Sequence, residues 1–159
     1  MSNWGCYDLD YLFGITGWSL QPQTVLAQTW SVPPAFAHYT APDSDGETHV
    51  AALIRCQDGI AISYERAEMI AAQTELAWEL IGDEGSLRLQ MTPSEDGRMT
   101  HFNADATTGT TSQTLCAADE DHARVHDGPI ADLAIAIRDG RPPQTTLERA
   151  LVIQRITDA

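Results

Sequence analysis

Positive charge is scarce in this sequence, with nine Lys and Arg against 23 Asp and Glu and a formal net charge of −14. A field of that sign repels phosphate backbones and anionic lipid, which argues against nucleic acid and membrane surfaces as partners. Cysteine is scarce too. Cys6, Cys56 and Cys116 are odd in number, far apart, and form no Cys-x-x-Cys pair. Neither a disulfide framework nor a zinc ribbon is encoded, and reduced thiols in a cytoplasmic setting are the expectation. No apolar run approaches the roughly 18 residues that suggest a membrane span, and the opening residues do not read as a secretory leader.

What is present suits a globular domain. Of 159 residues, 43% are hydrophobic and 20% charged, and a chain of this length can bury roughly 70% of its unfolded surface. Residues 5–16 place Cys6, Leu9 and Phe13 at i, i+3 and i+7, a short amphipathic helix stopped near Gly14 and Gly17. Residues 23–32 read as a strand ending at Pro33-Pro34, and 35–46 as a loop. THVAALIRC and IAISYERAE flank Gln57-Asp58-Gly59, a strong hairpin signal. Residues 75–81 and 86–92 repeat that arrangement around GDEG, and 98–104 with 110–116 make a weaker third pair around TTG.

After Asp119 the pattern turns helical. Ile130, Leu133, Ala134 and Ile137 keep helical spacing up to Gly140 and Pro142-Pro143. A last helix is predicted to open on a capping box with Thr145 as cap and Glu148 at the third position, burying Leu147, Ala150 and Leu151. Strands in series followed by helices in series predict an α+β fold with an open, mostly antiparallel sheet and helices on one face. The other face is left to solvent, a second domain or another copy of the chain.

Three segments in the same order resemble the C-terminal domain of Gfo/Idh/MocA oxidoreductases. NWGCYDLDYLFGITGW (3–18) is similar to the family's Asp-x-Gly-x-His/Tyr helix, in the Tyr form of glucose–fructose oxidoreductase and dihydrodiol dehydrogenase. WELIGDEGSLRL (78–89) resembles its strand–turn–strand segment, and residues 129–159 its closing pair of helices. The resemblance implies one substrate and oligomerisation domain over residues 1–159, with the uncovered sheet face as a homo-oligomer interface. It implies NAD(P) as the cofactor of the complete enzyme and a sugar, polyol or related alcohol as substrate. The Rossmann half that would hold the cofactor has no counterpart here. GITG and GDEG are the nearest approaches to G-x-G-x-x-G, and neither follows a strand at the head of a helix. The family's Glu-Lys-Pro segment, with its active-site Lys, is missing as well. The chain alone is therefore expected to bind no cofactor and not to turn over. A stand-alone binding or assembly module without redox chemistry is the competing reading.

The resemblance puts Tyr7 at the position of the acid/base that accepts the substrate's hydroxyl proton. A packing role for Tyr7 competes with it. Asn3 falls where the family has Asp; an amide can hold a hydroxyl but cannot take its proton. Asp10 and Tyr11 follow Tyr7 at i+3 and i+4, on the same helical side, and join Asn3 as substrate-binding candidates. Trp30, Trp78 and Tyr64 could stack on a sugar ring, but packing is the better reading. His38, His49, His101, His122 and His126 offer no set of three with ligand spacing, so no metal is expected. No cationic or His partner is evident for Cys6.

Overall fold

A computed structural model of the chain describes residues 5–73, 78–89, 98–117 and 126–159. Asn3 and His122 lie outside these. The elements are α1 (Gly5–Ile15), β1 (Pro22–Ser31), a 3₁₀ turn (Pro34–Tyr39), β2 (Glu47–Cys56), β3 (Ala61–Ala67), β4 (Trp78–Ile81), β5 (Gly85–Leu89), β6 (Arg98–Asp105), β7 (Gly109–Ala117), α2 (Asp127–Asp139) and α3 (Leu147–Thr157). All described strand pairs are antiparallel, and the fold is α+β as expected. The strands are shared between a three-stranded sheet in the order β1-β2-β3 and a four-stranded sheet in the order β4-β5-β6-β7. The chain forms two compact units, Met1–Thr74 with Thr145–Ala159, and Glu75–Gln144.

In the first unit, alternation along β2 buries Val50, Ile54 and Cys56 and turns His49, Leu53 and Arg55 the other way. Leu9 and Phe13 of α1 and Ile153 and Ile156 of α3 meet Ile54, Cys56 and Ile62 in one core. Phe13 has no exposed surface, a burial that contributes on the order of 1.5–3 kcal/mol. α1 ends where Gly17 (φ 66°) and then Trp18 (φ 58°) turn left-handed, with the Trp18 N–H donating to the Phe13 carbonyl at 2.7 Å. A left-handed Trp costs roughly 1–2 kcal/mol. Its ring gains contacts in return, lying 5.4 Å from Phe13 and 5.0 Å beneath the Arg149 guanidinium.

The β2–β3 hairpin turns through Asp58 (φ 56°) and Gly59 (φ 77°), as Asp-Gly predicts. In the second unit, β5 and β6 approach so closely that a Cβ on Gly85 would lie 2.5 Å from the Phe102 carbonyl oxygen. The β6–β7 turn is held by the Asp105 carboxylate, which accepts from the backbone N–H groups of Thr107 and Thr108 at 2.8 Å each. That carboxyl is held below its ordinary range by the same bonds.

Two helical expectations need correction. The cap of α3 is Thr146, whose hydroxyl accepts from the Arg149 N–H at 3.4 Å. The third position is therefore Arg149, and the reciprocal Glu148 box does not form. The inward stripe is also displaced: Leu147 is 86% and Leu151 48% exposed, while Ile153 and Ile156 are buried. On α2, Ile130 and Ile137 are exposed at 70% and 75%, and Ala136 is the residue buried. Spacing identified the helices, but a stripe of period 3.6 does not say which arc meets the core.

Candidate functional site

α1 winds so that Gly5, Asp8, Leu9 and Phe13 point into the first unit. Tyr7, Asp10, Tyr11 and Gly14 then share the opposite arc, because residues three and four apart lie on one side. Tyr7 is 61% exposed in the first turn. Asp10 and Tyr11 beside it are half-buried. The structure thus brings three of the four expected site residues onto one helical side.

What holds this helix was not read from the sequence. Asp8 is 2% exposed and carries a carboxylate in the core. Its Oδ2 accepts from the Tyr64 hydroxyl at 2.9 Å and from Arg66 Nη1 at 3.0 Å, and Arg66 also reaches Oδ1 at 3.3 Å. Tyr64 and Arg66 stand two apart on β3, so both lean from the same face of the strand. Burial, and then the hydrogen bond and charge of Asp8, push the Tyr64 phenol well above its ordinary value. Tyr64 therefore stays a neutral donor. Spacing gave no signal for Asp8, which lies off the stripe that Cys6, Leu9 and Phe13 define.

Asp10 is tuned differently. Burial pushes its carboxyl up, and the Arg149 charge pulls it back toward its ordinary value. Arg149 in turn lies over Trp18, tying α3 to the end of α1. A half-buried carboxylate beside an exposed phenol can accept from a ligand hydroxyl, which suits the binding of an alcohol.

A concavity lies elsewhere on the first unit. A cleft of about 430 Å³ is lined by Trp30, Ser31, Pro33, Thr48, His49 and Ile70. His49 stacks on Trp30 at 4.5 Å and pairs with Glu65 at 3.0 Å. None of Tyr7, Asp10 and Tyr11 lines it. Among the described residues, no cluster of three His, Cys, Asp or Glu side chains could hold a metal ion.

A nicotinamide dinucleotide does not fit the described residues. Its pyrophosphate needs a glycine turn leading from a strand into a helix. Gly14 and Gly17 lie at the end of α1, while Gly82 and Gly85 bound the turn from β4 into β5. Among the described residues no helix long and apolar enough to cross a membrane occurs.

The fold is that of the C-terminal domain of Gfo/Idh/MocA-type oxidoreductases. Among solved structures, the chain is similar to an NAD-binding oxidoreductase from Klebsiella pneumoniae, with a TM-score of 0.71 and 18% identity over 97% of this chain and 45% of that one. It is similar to the UDP-N-acetylglucosamine 3-dehydrogenase of Acidithiobacillus ferrooxidans, with a TM-score of 0.67 and 15% identity, covering 97% and 45%. An aldose-aldose oxidoreductase from Caulobacter crescentus, solved with glycerol, matches at a TM-score of 0.65 and 17% identity, covering 97% and 42%. The chain thus spans less than half the length of these proteins. No family model and no curated protein matches the sequence.

Proposed function

We propose that this chain is the substrate-side and assembly domain of an NAD(P)-dependent oxidoreductase acting on a sugar, polyol or related alcohol. The observation that carries the reading is the exposed Tyr7 on the first helix of a fold shared, over 97% of the chain, with NAD-binding oxidoreductases. Tyr7 accepts the proton of the substrate hydroxyl, Asp10 and Tyr11 hold the neighbouring hydroxyls, and Asn3 adds an amide contact. The nucleotide belongs to a separate Rossmann domain, since the described residues offer no cradle for it. A cation brought by that second domain would favour the phenolate. A cytoplasmic setting suits the three free thiols. The uncovered face of the β1–β3 sheet is the surface for self-association.

Calorimetry of the isolated chain with NAD(H) and NADP(H) is expected to give no saturable heat, and micromolar binding would overturn the placement of the nucleotide site. In the complete enzyme that includes this chain, Tyr7→Phe should lower the rate by roughly 10²–10⁴. An unchanged rate would return Tyr7 to a packing role.

A further inference from the structure

β2 carries one residue more than β1 at the place where β1 leaves the sheet. Trp30 pairs with His49 and Ser31 with Glu47, so Thr48 has no partner across the ladder. An extra residue of this kind bends the strand and re-aims the side chains beside it. The Thr48 hydroxyl oxygen is also buried with no hydrogen-bond partner among the described residues, and a buried orphan lowers stability. Met69, just past the end of β3, adds a second cost, because its φ of 52° is left-handed and a residue with a long side chain rarely adopts that conformation. Both irregularities border one concavity, the cleft of about 430 Å³ that Thr48 lines together with Trp30, Ser31, Pro33, His49 and Ile70. Strain held at one place against stability points to a use for that place.

The lining decides what can enter. Trp30, expected from the sequence to pack, is 45% exposed, and with Pro33 and Ile70 it supplies apolar walls. Ser31 and His49 supply polar ones. The Glu65 carboxylate accepts from His49 Nε2 at 3.0 Å, which in the neutral ring leaves Nδ1 as an acceptor. The Ser31 hydroxyl can both donate and accept. No Lys, Arg, Asp or Glu is among the lining residues, so an ion would lose its hydration with no counter-charge against it. Glu47 across from Ser31 and Glu65 beside His49 border the cleft with negative charge and turn anions away. An uncharged ring with an apolar face and hydroxyls around its edge meets all of these conditions. The volume is near the small end of the roughly 300–1,000 Å³ typical of ligand sites, which suits one ring rather than a chain of them.

We propose that this cleft binds a single neutral pyranose ring, stacked by its apolar face on Trp30 and held through its hydroxyls by Ser31 and His49. The site is distinct from the one proposed on α1, since none of Tyr7, Asp10 and Tyr11 lines it, and it needs no nucleotide. It lies at the end of the β1–β2 pair, where β1 stops at Ser31 and β2 starts at Glu47, and not at the middle of the open sheet face.

The test is an NMR titration of the isotope-labelled chain with methyl β-D-glucopyranoside and methyl β-D-galactopyranoside, with D-glucuronate as the charged counterpart. At least one pyranoside should move the Trp30 indole and the Ser31 and His49 amides saturably, with a Kd of about 1–10 mM, the range for a ligand of this size. Trp30→Ala should weaken binding about tenfold or more, and Trp30→Phe, which keeps an aromatic face, should weaken it less. Trp30 is exposed, and circular dichroism checks that both variants are folded. Glucuronate should bind more weakly than the pyranoside. No saturable shift with either pyranoside at about 100 mM, or unchanged binding by Trp30→Ala, would overturn the proposal. Glucuronate binding as tightly would overturn the assignment of a neutral ligand. Shifts confined to Tyr7, Asp10 and Tyr11 would overturn the cleft while supporting the α1 site, so the two readings fail separately.

Discussion

Asp8 sets the first unit's energetics at the level of a single side chain. A carboxylate at 2% exposure is tolerated because Tyr64 and Arg66 satisfy it, and Arg66 is itself mostly covered, at 28%. Removing one partner of a buried ion pair commonly costs about 3–5 kcal/mol. Asp8→Ala should lose stability on that order in urea unfolding, whereas Asp8→Asn, which still accepts from Tyr64, should lose less. Equal losses would show that the hydrogen bond to Tyr64 contributes little. Asp10 predicts the opposite sign. Its folded pKa is raised from an ordinary 3.8, burial being the main cause. The protonated side chain therefore contributes stability that is full below the unfolded pKa and is lost as pH rises through the folded one. Asp10→Asn should be more stable than wild type at neutral pH, with the difference vanishing in acid. A less stable variant at neutral pH would mean that the attraction to Arg149 outweighs burial. A carboxylate kept at a stability cost beside an exposed phenol accords with the binding role proposed for it.

The elements show where local sequence decided the outcome and where it did not. Gln57-Asp58-Gly59 specified its hairpin because the positive φ angles of Asp58 and Gly59 suit those residue types. Gly140 ended α2 in the left-handed conformation for the same reason. That Tyr7, Asp10 and Tyr11 share one side of α1 was legible from spacing, whereas Tyr7 itself was singled out by the family resemblance. The Asp8–Tyr64–Arg66 cluster was not, because it joins residues more than 50 apart, and no local pattern encodes that contact. The outward arc of α3 was misread for a related reason: which stripe is buried depends on what the helix meets. Gly85 shows a close approach of this kind. Gly85→Ala would push a methyl against the Phe102 carbonyl and should destabilise the second unit by about 1–3 kcal/mol, measurable as faster amide exchange along β5 and β6. From the middle of α2, Asp132 accepts from the Gln144 N–H and from Arg141, both at 2.7 Å. Those bonds hold its carboxyl below the ordinary range. Its contribution is present above the unfolded pKa and fades as pH falls through the folded one. Exchange at Gln144 should therefore accelerate in acid beyond the intrinsic rate, and Asp132→Ala should remove that dependence.

At the scale of the molecule, the α+β class, the antiparallel pairing and the order of elements followed from strands in series and then helices in series. The division of the strands between two sheets did not, since periodicity marks strands without saying where a ladder stops. The proposed function depends on the same distinction: it takes the fold and the Tyr7 side of α1 from this chain and assigns the nucleotide chemistry to another domain. Cys56 adds a use for the core that holds it. At 5% exposure, and with burial pushing its thiol pKa up, it is closed to alkylating reagents until β2 parts from its neighbours. Cys116 on the exposed β7 reacts from the start. The ratio of the two modification rates is then a clock, built into the chain, that counts how often the first unit opens.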